Sequence, residues 1–313
     1  MDDIIEISKE DLFLGVPLSF PLYFNVAGQF VLYKPKGAFF DQNDLKRIDD
    51  NSISQLFIPV QYENQFTVYF ATNVSKIVSD PSMSIKERSS YLVKSAGHVV
   101  KEIFDDPESP QTFIRSQALV KSFVEFIKQG LAAFHSMLSL SIHDYYTYTH
   151  SVGVMTYTIA LASQLGITAR QTLEDLGTAG LFHDIGKTKI PLEIINKPGP
   201  LNDQEWEIMK KHSSYSYEIS KGYEKLPEIS LVAIKQHHEN LLGTGYPDGI
   251  SGIDINFYSK IVTVCDIYSA LTTDRPYSKG RSTFDALKVM KAIVEKGQID
   301  KNIFQNLVLM LKG

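Results

Sequence analysis

The sequence predicts a mostly α-helical protein in which a small β-rich α+β module and a helical connector precede an all-helical domain. Short aromatic and β-branched runs separated by turn residues fill residues 1–78, a pattern typical of strands. From residue 85 onward, apolar residues recur at intervals of three and four, which indicates helices. A length of 313 residues with 43% apolar residues is sufficient for a substantial buried core.

The first module, residues 1–78, is expected to be a regulatory or sensory domain. A helix is predicted over residues 41–49, with Asp41 as its N-cap residue. Turn residues at 26–28 and 62–64 suit hairpin connections. The predicted strands cover residues 20–24, 29–33, 56–60 and 66–71. No chemical motif is visible here, so a dimerisation element or a cover over the helical domain remains an open alternative.

Residues 79–140 form the predicted connector, and residues 141–313 form the predicted all-helical domain. The stretch DDPESP at residues 105–110 is expected to end the first long helix, because proline cannot continue one. The predicted helices cover residues 85–104, 112–138, 150–165, 168–184, 203–221, 228–238, 257–271, 283–295 and 301–311.

The composition excludes several classes of protein. A formal net charge of −5 argues against a nucleic-acid polymer as partner, because neutralising many phosphates requires a basic face. One cysteine, Cys265, cannot form an internal disulfide and fits a reducing compartment. The acidic start MDDIIEISKEDL does not resemble a signal peptide, and no apolar run is long enough for a membrane span. The expected location is the cytoplasm.

The stretch GLFHDIGKTKIP, residues 180–191, places a histidine beside an aspartate near the end of an apolar helix. Imidazole nitrogen and carboxylate oxygen both suit first-row divalent metals, and the two oxygens of Asp184 allow it to bridge two ions. Lys187 projects to the same side as His183 and Asp184 if the helix continues, where it would hold a phosphate oxygen. The alternative is an exposed pair at a helix end, with Gly186 ending the helix.

Other histidines and a buried carboxylate strengthen the metal interpretation. Asp266 interrupts an apolar run, where a charge is costly unless it pairs with an arginine or lysine or binds a metal. Seven candidate ligands on about five successive helices are too many for one tetrahedral ion but suit two octahedral ions that share Asp184. Those candidates are His150, His183, Asp184, His212, His237, His238 and Asp266.

The order of these residues resembles the HD superfamily of metal-dependent phosphohydrolases, and within it the HD-GYP branch. Five blocks between residues 144 and 277 carry the resemblance: DYYTYTHS, GLFHDIGK, IPLEIINKPGPLNDQEWEIMKKH, HHENLLGTGYP and CDIYSALTTDRPY. The resemblance implies an all-helical HD-type domain and a cytoplasmic bacterial signal-transduction enzyme that hydrolyses cyclic di-GMP. It implies an iron or manganese centre, in which a hydroxide bridging two ions attacks phosphorus in line. Tyr146 stands where some relatives have a carboxylate for a third ion, which favours two.

The block HHENLLGTGYP is interpreted as a loop over the metal cleft and as a surface for a protein partner. Gly243 and Gly245 are expected to adopt backbone conformations closed to other residues, and Pro247 to fix the end of the loop. Tyr246 either contacts substrate or packs under the loop. By resemblance, Arg275 contacts substrate, with a surface salt bridge as the alternative, and Lys187 is the stronger phosphate ligand.

Several positions depart from the family pattern. Asn240 and Leu242 replace an arginine and an aspartate of the loop, Ser213 and Ser216 replace a proline and a glycine, and Ser269 replaces an aspartate. No predicted ligand of a two-ion centre is lost. The departures leave two alternatives to the phosphodiesterase: a weak or inactive relative that binds cyclic di-GMP or a protein partner, and a hydrolase for another phosphoester. The oligomeric state stays open.

Overall fold

The computed structural model describes residues 4–51, 53, 55–141, 146–223, 226–274 and 279–312. A four-stranded antiparallel sheet of order β1-β4-β2-β3 lies at the N-terminal end. Its strands are β1 (Ile4–Ile7), β2 (Leu22–Val26), β3 (Gln29–Lys34) and β4 (Leu56–Pro59). Ala27 and Gly28 both have positive φ, as a two-residue hairpin turn between twisted strands requires, which confirms the predicted β2–β3 connection.

Two helices accompany the sheet. The first, α1 (Gln42–Asp50), is capped by Asp41, whose carboxylate accepts the N–H groups of Asn43 and Asp44 at 2.8 and 3.0 Å, as predicted. The second, α2 (Glu63–Val78), replaces both the strand predicted at residues 66–71 and the turn predicted at 62–64. Those two predictions were wrong.

The remaining structure is helical. The helices are α3 (Ile85–Asp105), α4 (Pro110–Ile127), α5 (Leu131–Ser141), α6 (Tyr146–Gln164), α7 (Arg170–Phe182), α8 (Leu192–Ile195), α9 (Asp203–Lys210), α10 (His212–Lys221), α11 (Glu228–Gln236), α12 (Phe257–Thr272), α13 (Thr283–Glu295) and α14 (Lys301–Lys312). The single helices predicted over 112–138 and 203–221 are each divided in two. Gly130, with φ of 120°, separates α4 from α5, because that backbone conformation is not helical.

The helices pack so that α6 and α12 occupy the centre of the C-terminal half. Helix α6 contacts α3, α7 and α12, and α11 contacts α7, α10 and α12. One cluster of buried apolar side chains continues from the sheet to α14. The division into residues 1–78, 79–140 and 141–313 stays a prediction. Among the described helices, none has both the length and the apolar character that a membrane span needs.

Candidate metal centre

The structure brings all seven predicted metal ligands together, although they come from distant parts of the chain. Helix α6 carries His150 and α12 carries Asp266, whereas the other five lie where helices end or begin. Helix α7 stops before His183 and Asp184, and α11 stops before His237 and His238. His212 is the first residue of α10. Helix ends therefore converge on one buried point, with α6 and α12 forming its walls.

The potential ligand atoms form three overlapping groups, in each of which all atoms lie within 4.8 Å of one another. The groups are Asp184 with His212, His237 and His238; Asp184 with His150 and His183; and Asp266 with His183 and His237. Asp184 thus belongs to two groups: its Oδ1 faces His212, and its Oδ2 faces His150 and His183. Its Oδ1 atom is buried and accepts no hydrogen bond, which is costly unless a cation binds there.

Three histidines are oriented by the same local device. Nδ1 of His183, His212 and His237 lies 2.8, 2.7 and 2.6 Å from the carbonyl oxygen three residues earlier. A carbonyl only accepts, so Nδ1 carries the proton and the lone pair of Nε2 points into the centre. Metal-bound histidines characteristically donate their other ring N–H in this way.

His150 is oriented across two helices instead. Its Nδ1 lies 3.0 Å from Ser269 Oγ on α12, and its Nε2 lies 3.1 Å from Asp266 Oδ1 and 3.2 Å from His183 Nε2. Ser269, one of the departures from the family pattern, therefore holds the ring of a predicted ligand. Among the described residues, the partners of Asp266 are histidines, and no arginine or lysine forms the salt bridge considered as its alternative.

Charge is concentrated in a largely buried site. Burial raises the pKa of the Asp184 carboxyl, but Lys187 and His183 outweigh it and hold that pKa well below its usual range. Burial likewise lowers the pKa of His183, yet Asp184 and Asp266 raise it to about 10. Burial, followed by the charge of the neighbouring His238, lowers the pKa of His237 well below its usual value. Two carboxylates thus require positive charge, which a proton on His183 or a divalent cation can supply.

The histidine–aspartate pair is followed by a 3₁₀ turn, Ile185–Lys189, and not by a continued α-helix. Within this turn, the Lys187 ammonium forms an ion pair with Asp184. Gly186 allows the turn to approach α10, because a Cβ at that position would lie 2.1 Å from the His212 carbonyl oxygen. The Gly186 N–H donates to Ser216 Oγ at 2.8 Å. Ser216, another departure, therefore fixes α10 against the turn that carries Lys187.

The loop after His238 folds back on the backbone of the ligand segment. Gly243 has φ of 71°, in the region that favours glycine, as expected. Gly245 does not have positive φ; instead, a Cβ there would lie 2.5 Å from the His238 carbonyl oxygen. The reason expected for Gly245 was therefore wrong, since space and not conformation requires glycine. The Tyr246–Pro247 peptide bond is cis.

Two side chains whose contacts were not predicted from the sequence hold the shape of the loop. Asn240 Oδ1 accepts the N–H groups of Leu242 and Thr244 at 3.0 and 3.2 Å. Glu239 Oε1 accepts the N–H groups of Asp248 and Gly249 at 2.7 and 3.0 Å. Asparagine is favoured in such side-chain-stabilised turns, which is the only signal that sequence offers for this role of Asn240.

Tyr246 lies at the rim of the centre. Its ring centroid is 4.6 Å from that of His238 and 6.1 Å from that of Trp206. The tyrosine thus packs on a predicted ligand, and the exposed edge of Trp206 continues the aromatic surface. The predicted substrate contact Arg275 lies outside the described residues.

The donor set fits first-row divalent metals. Neutral imidazole nitrogens and carboxylate oxygens suit iron, manganese, nickel and zinc, and no thiolate contributes, since Cys265 is the one cysteine of the chain and is not in any of the ligand groups. The orphaned Asp184 oxygen and the inward lone pairs of three histidines are the features that a bound cation would satisfy.

Comparison with known proteins finds similar phosphodiesterases. A cyclic di-GMP phosphodiesterase of Pseudomonas aeruginosa is 29% identical over 280 residues, which cover 85% of this chain and 67% of that protein. The 3′3′-cGAMP-specific phosphodiesterase 3 of Vibrio cholerae is 38% identical over 147 residues, 47% of this chain and 31% of that protein. The chain therefore spans about two thirds of the first relative and less than a third of the second.

A solved structure extends the likeness to nearly the whole fold. An HDG"Y"P protein from Bdellovibrio bacteriovorus superimposes with a TM-score of 0.72 at 25% identity, over 99% of this chain and 100% of that chain. The family model described as "HD domain" matches residues 133–303, which is more than half of the sequence. This range includes all seven predicted ligands. The chain belongs to the HD domain family.

Proposed function

We propose that this protein is a two-metal phosphodiesterase that hydrolyses cyclic di-GMP. The observation that carries the proposal is the position of Asp184, whose two oxygens face two groups of histidines while Oδ1 accepts no hydrogen bond. A carboxylate in that position is suited to bridge two cations. One ion would be held by Asp184, His212, His237 and His238, and the other by Asp184, Asp266, His150 and His183.

Iron and manganese are the proposed ions. Two bound divalent cations supply Lewis acidity toward phosphoryl oxygens and lower the pKa of water. The chain itself shields the site from solvent: His183 and His237 are fully buried, and Asp184 is 4% exposed. Low exposure to solvent strengthens the charge interactions there.

Lys187 is the proposed partner of the reacting phosphate. Its ammonium lies against Asp184 at the edge of the centre, and its side chain is 31% exposed, so a substrate can reach it. From that position it would donate to a nonbridging phosphoryl oxygen and stabilise the charge that develops there. Tyr246, packed on His238, is positioned to line the same substrate surface.

The cyclic di-GMP relative supports this substrate because it covers most of the chain. A second candidate is 3′3′-cGAMP, which is supported by the more identical but shorter match to the Vibrio cholerae enzyme. Both are cyclic dinucleotides with two phosphodiester bonds, so one metal centre suits either. A comparison of turnover on the two substrates decides between them.

The alternative of a binding module rests on the changed loop residues. Asn240 replaces an arginine, yet its side chain holds the loop through two backbone hydrogen bonds. Ser216 and Ser269 likewise contact the turn and a ligand of the centre. These contacts favour an intact enzyme centre. The exposed side chain of Leu242, at 54%, leaves the loop as a proposed surface for a protein partner.

The test is metal content of anaerobically purified protein, wild type beside Asp184→Asn, with turnover of both dinucleotides measured on the same samples. The substitution keeps the size of the side chain and removes the bridging charge. We expect about two ions per chain and hydrolysis in the wild type, and loss of both in the variant. Two ions without turnover of either dinucleotide on any iron- or manganese-loaded sample would refute the proposed activity and leave the binding module or a hydrolase for another phosphoester. Wild-type protein without metal would refute the two-ion centre.

A further inference from the structure

A cleft of about 680 Å³ runs along α12 from the metal centre. His238 and Asp266 line one end, and Lys279, Gly280 and Arg281 line the other. This volume lies within the range of about 300–1,000 Å³ that is common for ligand sites. The cleft therefore joins predicted metal ligands to two cations that follow the CDIYSALTTDRPY block in the sequence.

The segment with the two cations is fixed in place. The Gly280 N–H donates to Asp274 Oδ1 at 2.7 Å, and the Arg281 N–H donates to the Leu271 carbonyl at 2.8 Å. A Cβ at Gly280 would lie 2.0 Å from the Thr272 carbonyl oxygen, so glycine allows the segment to lie against the end of α12. The backbone on both sides of the glycine is thereby held at the cleft.

Both cations are available to an anion. Lys279 and Arg281 are exposed, and within the described part of the chain neither forms a salt bridge, whereas Lys187 is paired with Asp184. Two cations within three residues, neither of them paired with a described carboxylate, contrast with the net charge of −5 of the chain. Arginine binds phosphate through a planar fork of donors, which makes it the usual residue for recognising phosphate oxygens.

The position of the pair indicates which phosphate it meets. Leu271, which accepts the Arg281 N–H, follows Asp266 by five residues, about 7.5 Å along the helix axis. The reacting phosphate belongs at the metal ligands, beside Lys187. A ring with two phosphates joined by riboses would therefore place its other phosphate toward the far end of the same cleft.

We infer that Lys279 and Arg281 bind the second, unreacted phosphate of the cyclic dinucleotide and so select it over diesters with a single phosphate. The inference rests on the proposed function, and it adds the groups that determine specificity. Ion pairing at the cleft mouth would hold the ring while the centre acts on the first phosphate, so its loss should appear in KM more than in kcat.

The experiment compares two substrates across matched variants. Arg281→Gln and Lys279→Gln each remove one cleft cation, and Lys288→Gln removes an exposed cation on α13 that does not line the cleft. Turnover of cyclic di-GMP and of bis(p-nitrophenyl) phosphate, a diester with one phosphate, is measured for each. Calorimetry measures binding of cyclic di-GMP to the metal-loaded proteins.

We expect each cleft variant to lower kcat/KM for cyclic di-GMP by about tenfold more than for the one-phosphate diester, mainly through KM, with a matching loss of affinity. Lys288→Gln should leave this ratio as in the wild type. Equal losses on the two substrates, or losses equal to those of Lys288→Gln, would overturn the inference.

The two proposals fail in distinguishable ways. Binding of cyclic di-GMP that weakens in the cleft variants, without turnover by any protein, would support the inference and remove the proposed activity. Wild-type hydrolysis of the one-phosphate diester without binding of a cyclic dinucleotide would overturn the inference and retain a phosphodiesterase.

Discussion

Replacement of Gly186 by alanine tests how the centre is assembled. The added Cβ would lie 2.1 Å from the His212 carbonyl oxygen and 2.4 Å from the Ser216 backbone nitrogen. Both are backbone atoms, so no side-chain rotation relieves the overlap. Helix α10 must move away from the 3₁₀ turn, and His212, the first residue of α10, must move with it. The 3.3 Å separation of His212 Nε2 from Asp184 Oδ1 would therefore widen.

The magnitude follows from two losses. Forcing a methyl group into a packed contact costs about 1–3 kcal/mol. Separation of Gly186 N–H from Ser216 Oγ, now 2.8 Å apart, loses a buried hydrogen bond of about 1 kcal/mol. The free energy of unfolding should therefore fall by roughly 2–4 kcal/mol, which most domains survive, because their stability is about 5–15 kcal/mol.

The assay is urea unfolding of metal-free protein, followed by titration with Mn²⁺. Gly97→Ala is the matched control, because Gly97 lies inside α3 and a Cβ there meets nothing within 4 Å. We expect the control to gain about 0.5–1 kcal/mol and to bind Mn²⁺ as the wild type does. Gly186→Ala should lose stability and bind Mn²⁺ more weakly.

The reasoning would be refuted by Gly186→Ala protein whose urea midpoint and Mn²⁺ affinity both equal those of the wild type while Gly97→Ala is stabilised as expected. That result would mean that α10 does not lie against the turn. A loss of stability without a change in Mn²⁺ affinity would mean that the packing contact stabilises the fold but does not set the position of His212.

Three further predictions concern charge, ligand orientation and the loop. Metal-free protein should be most stable near pH 6.5. Above that pH, the raised pKa of His183, about 10, makes the free energy of unfolding fall as pH rises. Below it, the lowered pKa values of His237 and His238 make the free energy of unfolding fall as pH falls. Urea midpoints at about pH 5, 6.5 and 9 check this, and a flat profile above pH 6.5 would contradict it. Ser269→Ala removes the acceptor of the His150 ring N–H, so Mn²⁺ affinity should fall by about 10- to 100-fold in a competition titration, and wild-type affinity would exclude that role. Asn240→Ala should cost about 1–3 kcal/mol in urea unfolding and expose the loop to protease, whereas unchanged cleavage would show that the loop is held by other contacts.

The ligand set was predictable because its signals are local in sequence. Each candidate except His212 was a polar residue at the end of, or inside, an apolar helical run, whereas His212 was indicated by its order among the others. The structure places all seven in one cluster. The partners that orient them were less visible. Ser216 and Ser269 are small polar residues whose acceptor roles depend on which helix lies opposite, and no periodicity reports that.

The errors in the N-terminal part have the same origin. Residues 66–71 have strand-like composition, but Phe66, Phe70, Val74 and Ile77 are buried at helical spacing in α2. Burial against α4 decided the structure over local β propensity. Strand β1 was missed because its partner among the described strands, β4, lies some fifty residues later, and four residues carry little signal without that pairing.

The carbonyl ends of α7, α9 and α11 meet around the metal centre, and each carries the partial negative charge of a helix dipole, about half an elementary charge. The N-terminal end of α10, at His212, offsets one of the three. This charge adds to that of Asp184 and Asp266. Before any cation binds, the Lys187 ammonium and a proton on His183 offset part of this charge, so the centre offers little attraction to a dinucleotide with two phosphates. Cation and substrate should consequently bind in a fixed order, the cations first, and the occupancy of the centre would set whether the cleft accepts its substrate at all.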